Sequence, residues 1–285
     1  MKLRMVACSS VVRPHSLCSP GRGLIFLCLV AGALSLRADT VNFNSYVSST
    51  DNELANLFSL PGTLTQSPSD GIGGGAVLAS GFPETPMYKR SFDPVNGLTT
   101  SVFVRYDFAN MGEPGEGAYS VRLGFGGSTT EGLSVASPLS YFWGEFNNDG
   151  NLAIWSQGSG NGSGFNLIGT TPLATPGNWL KLTFSEVYLG GSQFQLSTRL
   201  ESYGAGGLEA PTVLGTGTII VANTAAAADS SVFAGFGGYY HVAAFDDFEV
   251  LQAVPEPGTW QLLACGGAVL ACAKFGRSAL RRRRK

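Results

Sequence analysis

The stretch from Asp39 to Val254 contains no cysteine: the five cysteines of the chain are Cys8, Cys18, Cys28, Cys265 and Cys272. That absence excludes thiol catalysis, Cys-ligated zinc and disulfide staples in the body of the protein, which must be held by a large core instead. Histidine is nearly as scarce, with only His15 and His241. Histidine-rich metal sites are therefore excluded. A Ser-His-Asp triad would have to use His241, in a sequence with no Gly-x-Ser-x-Gly elbow. Positive charge is short as well. Between Asp39 and Val254, Lys89, Arg90, Arg105, Arg122, Lys181 and Arg199 face nineteen acidic residues, a net charge of −13, although the whole chain stands at −2. Such a domain repels nucleic-acid phosphates and anionic lipid, tolerates divalent cations, and suits neutral glycans better than anionic ones.

What is present is a succession of short alternating segments. Val41–Val47, Thr99–Phe108, Ala118–Phe125, Leu139–Phe146, Asn151–Trp155, Asn178–Phe184, Gln193–Leu200, Thr212–Val221, Val232–Phe236 and Ala244–Leu251 carry the period of half-buried strands. Thr99–Phe108 and Ala118–Phe125 read as neighbours across the 111–117 loop. Asn147–Gly150 and Gly190–Gly191 read as hairpin turns, because Asn, Asp and Gly accept positive φ. The Gly-, Ser- and Pro-rich text from Pro61 to Pro86 reads as loop, as do Gly158–Gly164 and Ala225–Ala228. Gly71–Ala76 loosely matches a dinucleotide loop, but no strand signal precedes it and no βαβ unit surrounds it, so it is read as a plain loop. No helix signal stands out and no solenoid or propeller repeat is present. Roughly ten to twelve short strands over about 215 residues predict an all-β, two-sheet antiparallel β-sandwich.

The two ends differ from this body. Lys2, Arg4, Arg13 and Arg22 precede the apolar run Leu24–Leu34, with small residues up to Ala38. This is signal-peptide anatomy over 1–38, with cleavage expected after Ala38, and true initiation at Met5 or later is open. At the other end, Val254-Pro255-Glu256-Pro257-Gly258-Thr259 precedes an apolar segment over about 260–276, with its core at Leu262–Ala273. A basic tail over 277–285 closes the chain with Arg281, Arg282, Arg283, Arg284 and Lys285. The prolines exclude helix and central strand, and the basic block marks a cytoplasmic end. This arrangement resembles the PEP-CTERM sorting signal of Gram-negative bacteria. The resemblance implies signal peptidase and exosortase as partners during export, and delivery to the cell surface, outer membrane or exopolysaccharide matrix. The apolar core is about 12–15 residues, short of the roughly 20 that cross hydrocarbon, so a transient inner-membrane anchor fits better than a permanent one.

A second resemblance lies in the late part of the 39–253 domain. Trp179-Leu180-Lys181-Leu182 entering a strand, a Gly-turned hairpin and the closing Phe245-Asp246-Asp247-Phe248-Glu249-Val250 are similar to concanavalin A-like lectin and glucanase jelly rolls. It implies a carbohydrate-associated sandwich and directs attention to three sets of residues. Glu145 and Asp149 are the nearest pair of carboxylates in a Trp-rich setting, and glycosidases need two about 5–10 Å apart. Asp149 falls in the expected turn, however, so the strand pattern of the glucanases is not met. Asp246 alternates with Phe248 and Val250, which places it on the core side. There it is expected either to hold calcium, with Asp247, as the resemblance implies, or to be satisfied by backbone amides. Tyr141 and Trp143 share a strand face with Glu145. They are either core or, if exposed, a platform for stacking on sugar rings. The leading expectation is a non-enzymatic, polysaccharide-associated surface or matrix protein that needs no cofactor. A secreted jelly-roll glycoside hydrolase or lyase and a purely structural or adhesive protein are the alternatives. An open cleft with two facing carboxylates would favour an enzyme, and a filled concave face would count against one.

Overall fold

A computed structural model describes residues 36–45, 52–59, 64–67, 69–79, 85–105, 120–134, 137–147, 151–157, 164–170, 175, 177–239 and 243–253. Residues 1–35 of the expected leader, the expected sorting segment 254–285, Asp149 and His241 lie outside them. Among the described residues no helix is long and apolar enough to cross a membrane.

Among the described residues, fourteen strands form the sandwich: β1 (Leu36–Val41), β2 (Leu64–Ser67), β3 (Ala76–Ala79), β4 (Met87–Phe92), β5 (Leu98–Arg105), β6 (Ser120–Gly126), β7 (Ser140–Asn147), β8 (Asn151–Ser156), β9 (Gly164–Thr170), β10 (Leu180–Gly190), β11 (Gln193–Ser202), β12 (Thr212–Ala222), β13 (Val232–Tyr239) and β14 (Ala243–Ala253). They make an eight-stranded sheet in the order β12-β11-β10-β5-β14-β3-β2, with β1 also on β14, and a six-stranded sheet in the order β4-β13-β6-β7-β8-β9. All the pairings are antiparallel. The all-β sandwich expected from the alternation is therefore the architecture found.

Aromatic rings join the two sheets. Phe142 of β7 meets Phe194 of β11 at 4.8 Å, Phe125 of β6 meets Phe184 of β10 at 6.0 Å, and Phe236 of β13 meets both Phe245 and Phe248 of β14 at 5.0 Å. All seven rings are fully buried. At about 1.5–3 kcal/mol for each large apolar side chain withdrawn from water, this interior replaces the missing disulfides.

Several local expectations are corrected. β5 and β6 lie in different sheets, so Thr99–Phe108 and Ala118–Phe125 are not neighbours. The Pro61–Pro86 stretch carries β2 and β3, and Phe43–Ser45 is a 3-10 turn after β1 rather than strand. Two short helices, Asn52–Leu57 and Thr224–Ala228, occupy segments without a helical pattern. The second starts at Asn223, whose side chain accepts from the Ala226 amide, so a cap makes a helix of an alanine run that reads as loop. The β10–β11 hairpin turns where expected, with Gly190, Gly191 and Ser192 all at positive φ. β1 straddles the expected cleavage position: Leu36–Ala38 pair with Leu251–Ala253, and Asp39–Val41 with Phe248–Val250.

Candidate functional site

Two sites carry the residues singled out above. The first is the outer face of the six-stranded sheet, on the side away from the core. Cross-strand register sets Arg122 opposite Glu145, and Gly124 and Trp155 on either side of Trp143. Arg122 Nε donates to Glu145 Oε2 at 3.0 Å, and Trp143 Nε1 donates to the same oxygen at 3.2 Å. Arg122 Nη1 reaches the Leu133 carbonyl at 2.9 Å, and its guanidinium lies 5.9 Å from the Trp143 ring. Trp155 stacks on Trp143 at 5.6 Å and 8°.

This face is covered. Thr85–Met87 crosses β13, where Gly235 and Gly237 leave room. A Cβ on Gly235 would stand 3.0 Å from the Pro86 oxygen, and one on Gly237 would stand 2.8 Å from Thr85 Cγ2. The Gly132–Ser134 segment lies beside it. Leu133 donates its amide to Thr85 Oγ1, Ser140 Oγ donates to the Gly132 carbonyl at 2.8 Å, and the Ser134 amide donates to Ser140 Oγ at 2.8 Å. Met87, Leu133 and Trp143 form a small buried apolar cluster with Phe233 and Trp155 at its margin.

The two aromatics expected as a sugar platform are buried, Trp143 at 0% exposure within this cluster and Tyr141 at 4% in the main core. Tyr141 donates its hydroxyl to Asp229 Oδ2 at 2.9 Å, and burial together with that carboxylate pushes its pKa up to about 12. Trp155 is half-buried on this face, as is Phe233. Glu145 is buried in an ion pair, and its expected partner Asp149 lies outside the described residues.

The second site surrounds Asp246 on the outer face of the eight-stranded sheet. Asp246 pairs with Phe103 of β5, but the next pair in register is Glu249 with Ser101. The bulge leaves Asp247 at φ 45° and carries the chain from core-facing Phe245 to core-facing Phe248 in three residues. Asp246 therefore shares a face with Ala244 and Phe103, not with Phe248 and Val250. The 69–75 segment roofs it over. Asp246 Oδ2 accepts from the Ile72 amide and Oδ1 from the Asp247 amide, each at 2.8 Å, and the Phe43 backbone adds a further bond. Burial outweighs these bonds and raises its pKa to about 6.

That geometry does not fit calcium. Calcium takes six to eight oxygen ligands, whereas amide hydrogens point at this carboxylate from three sides. No group of three or more His, Cys, Asp or Glu residues able to hold a metal occurs among the described residues. Of the two alternatives open for Asp246, the structure selects backbone amides. Asp247 takes its main charge contacts from Lys181 and Glu249. Nearby, Trp179 is buried under Ile72, with the Arg105 guanidinium 5.1 Å from its ring.

One residue of chemical interest, Glu186, is absent from the sequence expectations above. Glu186 faces inward on β10 between Leu98 and Leu196, is 1% exposed, and neither carboxylate oxygen has a hydrogen-bond partner. Burial, with Asp93 nearby, raises its pKa well above the ordinary value. Its place in the alternation Leu180, Leu182, Phe184, Glu186 was the available clue.

No family model matches the chain, and no curated protein sequence matches it. Solved structures do. An alginate lyase of family PL-14 from Aplysia kurodai superimposes with a TM-score of 0.50 at 13% identity, covering 75% of this chain and 98% of the lyase. Basic winged bean lectin gives 0.45 at 10% identity, over 77% of this chain and 100% of the lectin. An endo-β-1,4-glucuronan lyase from Trichoderma reesei gives 0.45 at 10%, over 79% and 98%. The likeness to the alginate lyase shows a shared fold, and the neighbours are jelly rolls of the concanavalin A-like kind.

Proposed function

We propose that this is an exported cell-surface or matrix protein whose jelly roll associates with polysaccharide without cutting it, sorted by an exosortase through Val254–Thr259. The observation that carries the non-catalytic part is the filled outer face of the six-stranded sheet. Thr85–Met87 and Gly132–Ser134 occupy it, and Glu145 is bound to Arg122. A glycosidase needs one carboxyl free to give a proton and a second free to activate water or attack. An ion-paired, covered Glu145 offers neither. The fold is shared with an enzyme that acts on alginate, an anionic polymer, but here six basic residues against nineteen acidic ones favour an uncharged polymer.

Trp155 is the ring on this face best placed to meet a sugar, since Trp143 beneath it holds it flat. The test is a pull-down of the full-length protein on neutral and anionic insoluble polysaccharides. Retention on a neutral polymer, lost in Trp155→Ala, supports the proposal. Retention on none of them, or retention unchanged in that variant, contradicts it. The sorting route is tested separately. Replacing Pro255 and Pro257 with alanine is expected to leave the protein in the inner membrane with its tail uncut, and unchanged delivery would refute exosortase handling.

A further inference from the structure

We propose that β12 is the docking edge for a second copy of this chain, which adds its own β12 antiparallel across a two-fold axis. β12 is the end strand of the eight-stranded sheet, and among the described residues no strand pairs with its outer edge. It is 11 residues long, about twice the usual strand, and exposed or half-buried along its whole length. Free strand edges are normally protected by brevity, charge, proline or a bulge. This one has no charge and no proline from Thr212 to Ala222, and its single irregularity lies near one end, between the Leu200–Gly215 and Glu201–Val213 pairs. Its backbone ladder is open to another strand. The flanking side chains are apolar: Ile220 is 61% and Val213 47% exposed, and Val187 of β10, also 47% exposed, stands in one cross-strand row with Gln195 and Ile220.

Charge selects the occupant. Residues 210–228 contain no Asp, Glu, Lys or Arg, and neither do residues 150–180, which include β8 and β9. β9 is the end strand of the other sheet and lies against β12. The two strands that end the sheets on this side, β12 and β9, therefore carry no charge, on a domain of net charge −13. Two such domains repel each other over most of their surface, and this side is where they approach without opposing like charges. A polysaccharide supplies no ladder of alternating donors and acceptors for a strand edge. A second β12 does, and an uncharged strand is compatible with itself in antiparallel register.

The test is sedimentation velocity of the full-length protein in mild detergent, with and without Thr218→Lys/Ile220→Lys. Both positions are exposed, and lysine on an edge strand opposes edge-to-edge pairing. A wild-type dimer whose dissociation constant rises at least ~tenfold in the double variant supports the proposal. A wild-type monomer up to about 100 µM overturns it. So does a dimer equally tight in both proteins, which would place the contact in the tail or elsewhere. Hydrogen exchange on the wild type alone gives a second readout. Amides of 212–222 are expected to become protected as concentration rises, and concentration-independent exchange there overturns the proposal even if the variant fails to fold.

Discussion

Asp246 Oδ2 accepts a hydrogen bond from the Ile72 amide at 2.8 Å, joining positions 174 residues apart. The bond fixes the 69–75 segment over the place where β14 changes partners. Before the bulge β14 pairs with β3, and after it with β1. The carboxylate thus stands where the sheet is least continuous and holds the join.

Removing it should be costly. Asp246→Ala leaves the Ile72 and Asp247 amides without their acceptor, and hydrogen bonds to charged groups contribute about 1.5–3 kcal/mol each. A loss of about 2–4 kcal/mol in denaturant unfolding is expected. Addition of calcium or of a chelator should leave the wild-type melting temperature unchanged. A calcium-dependent rise would restore the metal assignment for Asp246 and Asp247.

Glu186 makes stability depend on pH. Its folded pKa lies well above the ordinary carboxyl value of 4.5, so between those values the folded protein holds a proton that the unfolded chain has released. Stability from this group is complete below pH 4.5 and is lost as pH rises toward the folded pKa, at about 1.4 kcal/mol per pH unit. Asp246, with its pKa raised to about 6, acts in the same direction from pH 3.8 upward. Urea unfolding of wild type and Glu186→Gln from pH 4.5 to 8 should show a shallower decline in the variant. Parallel curves would mean that Glu186 is solvated or paired.

The Arg122–Glu145 pair should behave as a buried ion pair. Arg122→Ala or Glu145→Ala alone is expected to cost about 3–5 kcal/mol, because each strands a charge under Thr85–Met87. The double variant Arg122→Ala/Glu145→Ala should cost less than the two single losses together, and simple additivity in this double-mutant cycle would show that the pair is solvated.

The two stacked tryptophans should separate stability from binding. Trp143→Ala removes a fully buried ring and should destabilise by about 3–5 kcal/mol. Trp155→Ala should destabilise less and lower polysaccharide retention more. Equal loss of binding in both, in proportion to the loss of fold, would argue against a sugar platform at Trp155.

The sequence made some of this legible. Period-2 alternation and Gly190–Gly191 locate the β10–β11 hairpin, because side-chain direction and positive φ are local properties. Face assignment at Asp246 failed because one inserted residue, Asp247, reverses the count from Phe248, and a bulge leaves no local mark on alternation. β2 and β3 were hidden in Gly- and Ser-rich text because the pairing of β3 to β14 and of β2 to β3, not propensity, makes them strands. The burial of Trp143 depends on Thr85–Met87, which lies more than fifty positions away in sequence. Pattern on β7 alone cannot show that cover.

Association without cleavage is what separates this protein from a hydrolase or lyase of the same fold. The direct measurement incubates the full-length protein with each polysaccharide it retains and follows new reducing ends and unsaturated uronosyl products over time. Retention on a neutral polymer with no product above the protein-free control is the predicted result. Products released by the wild type and abolished in Glu145→Gln would contradict it and make the covered face an active site.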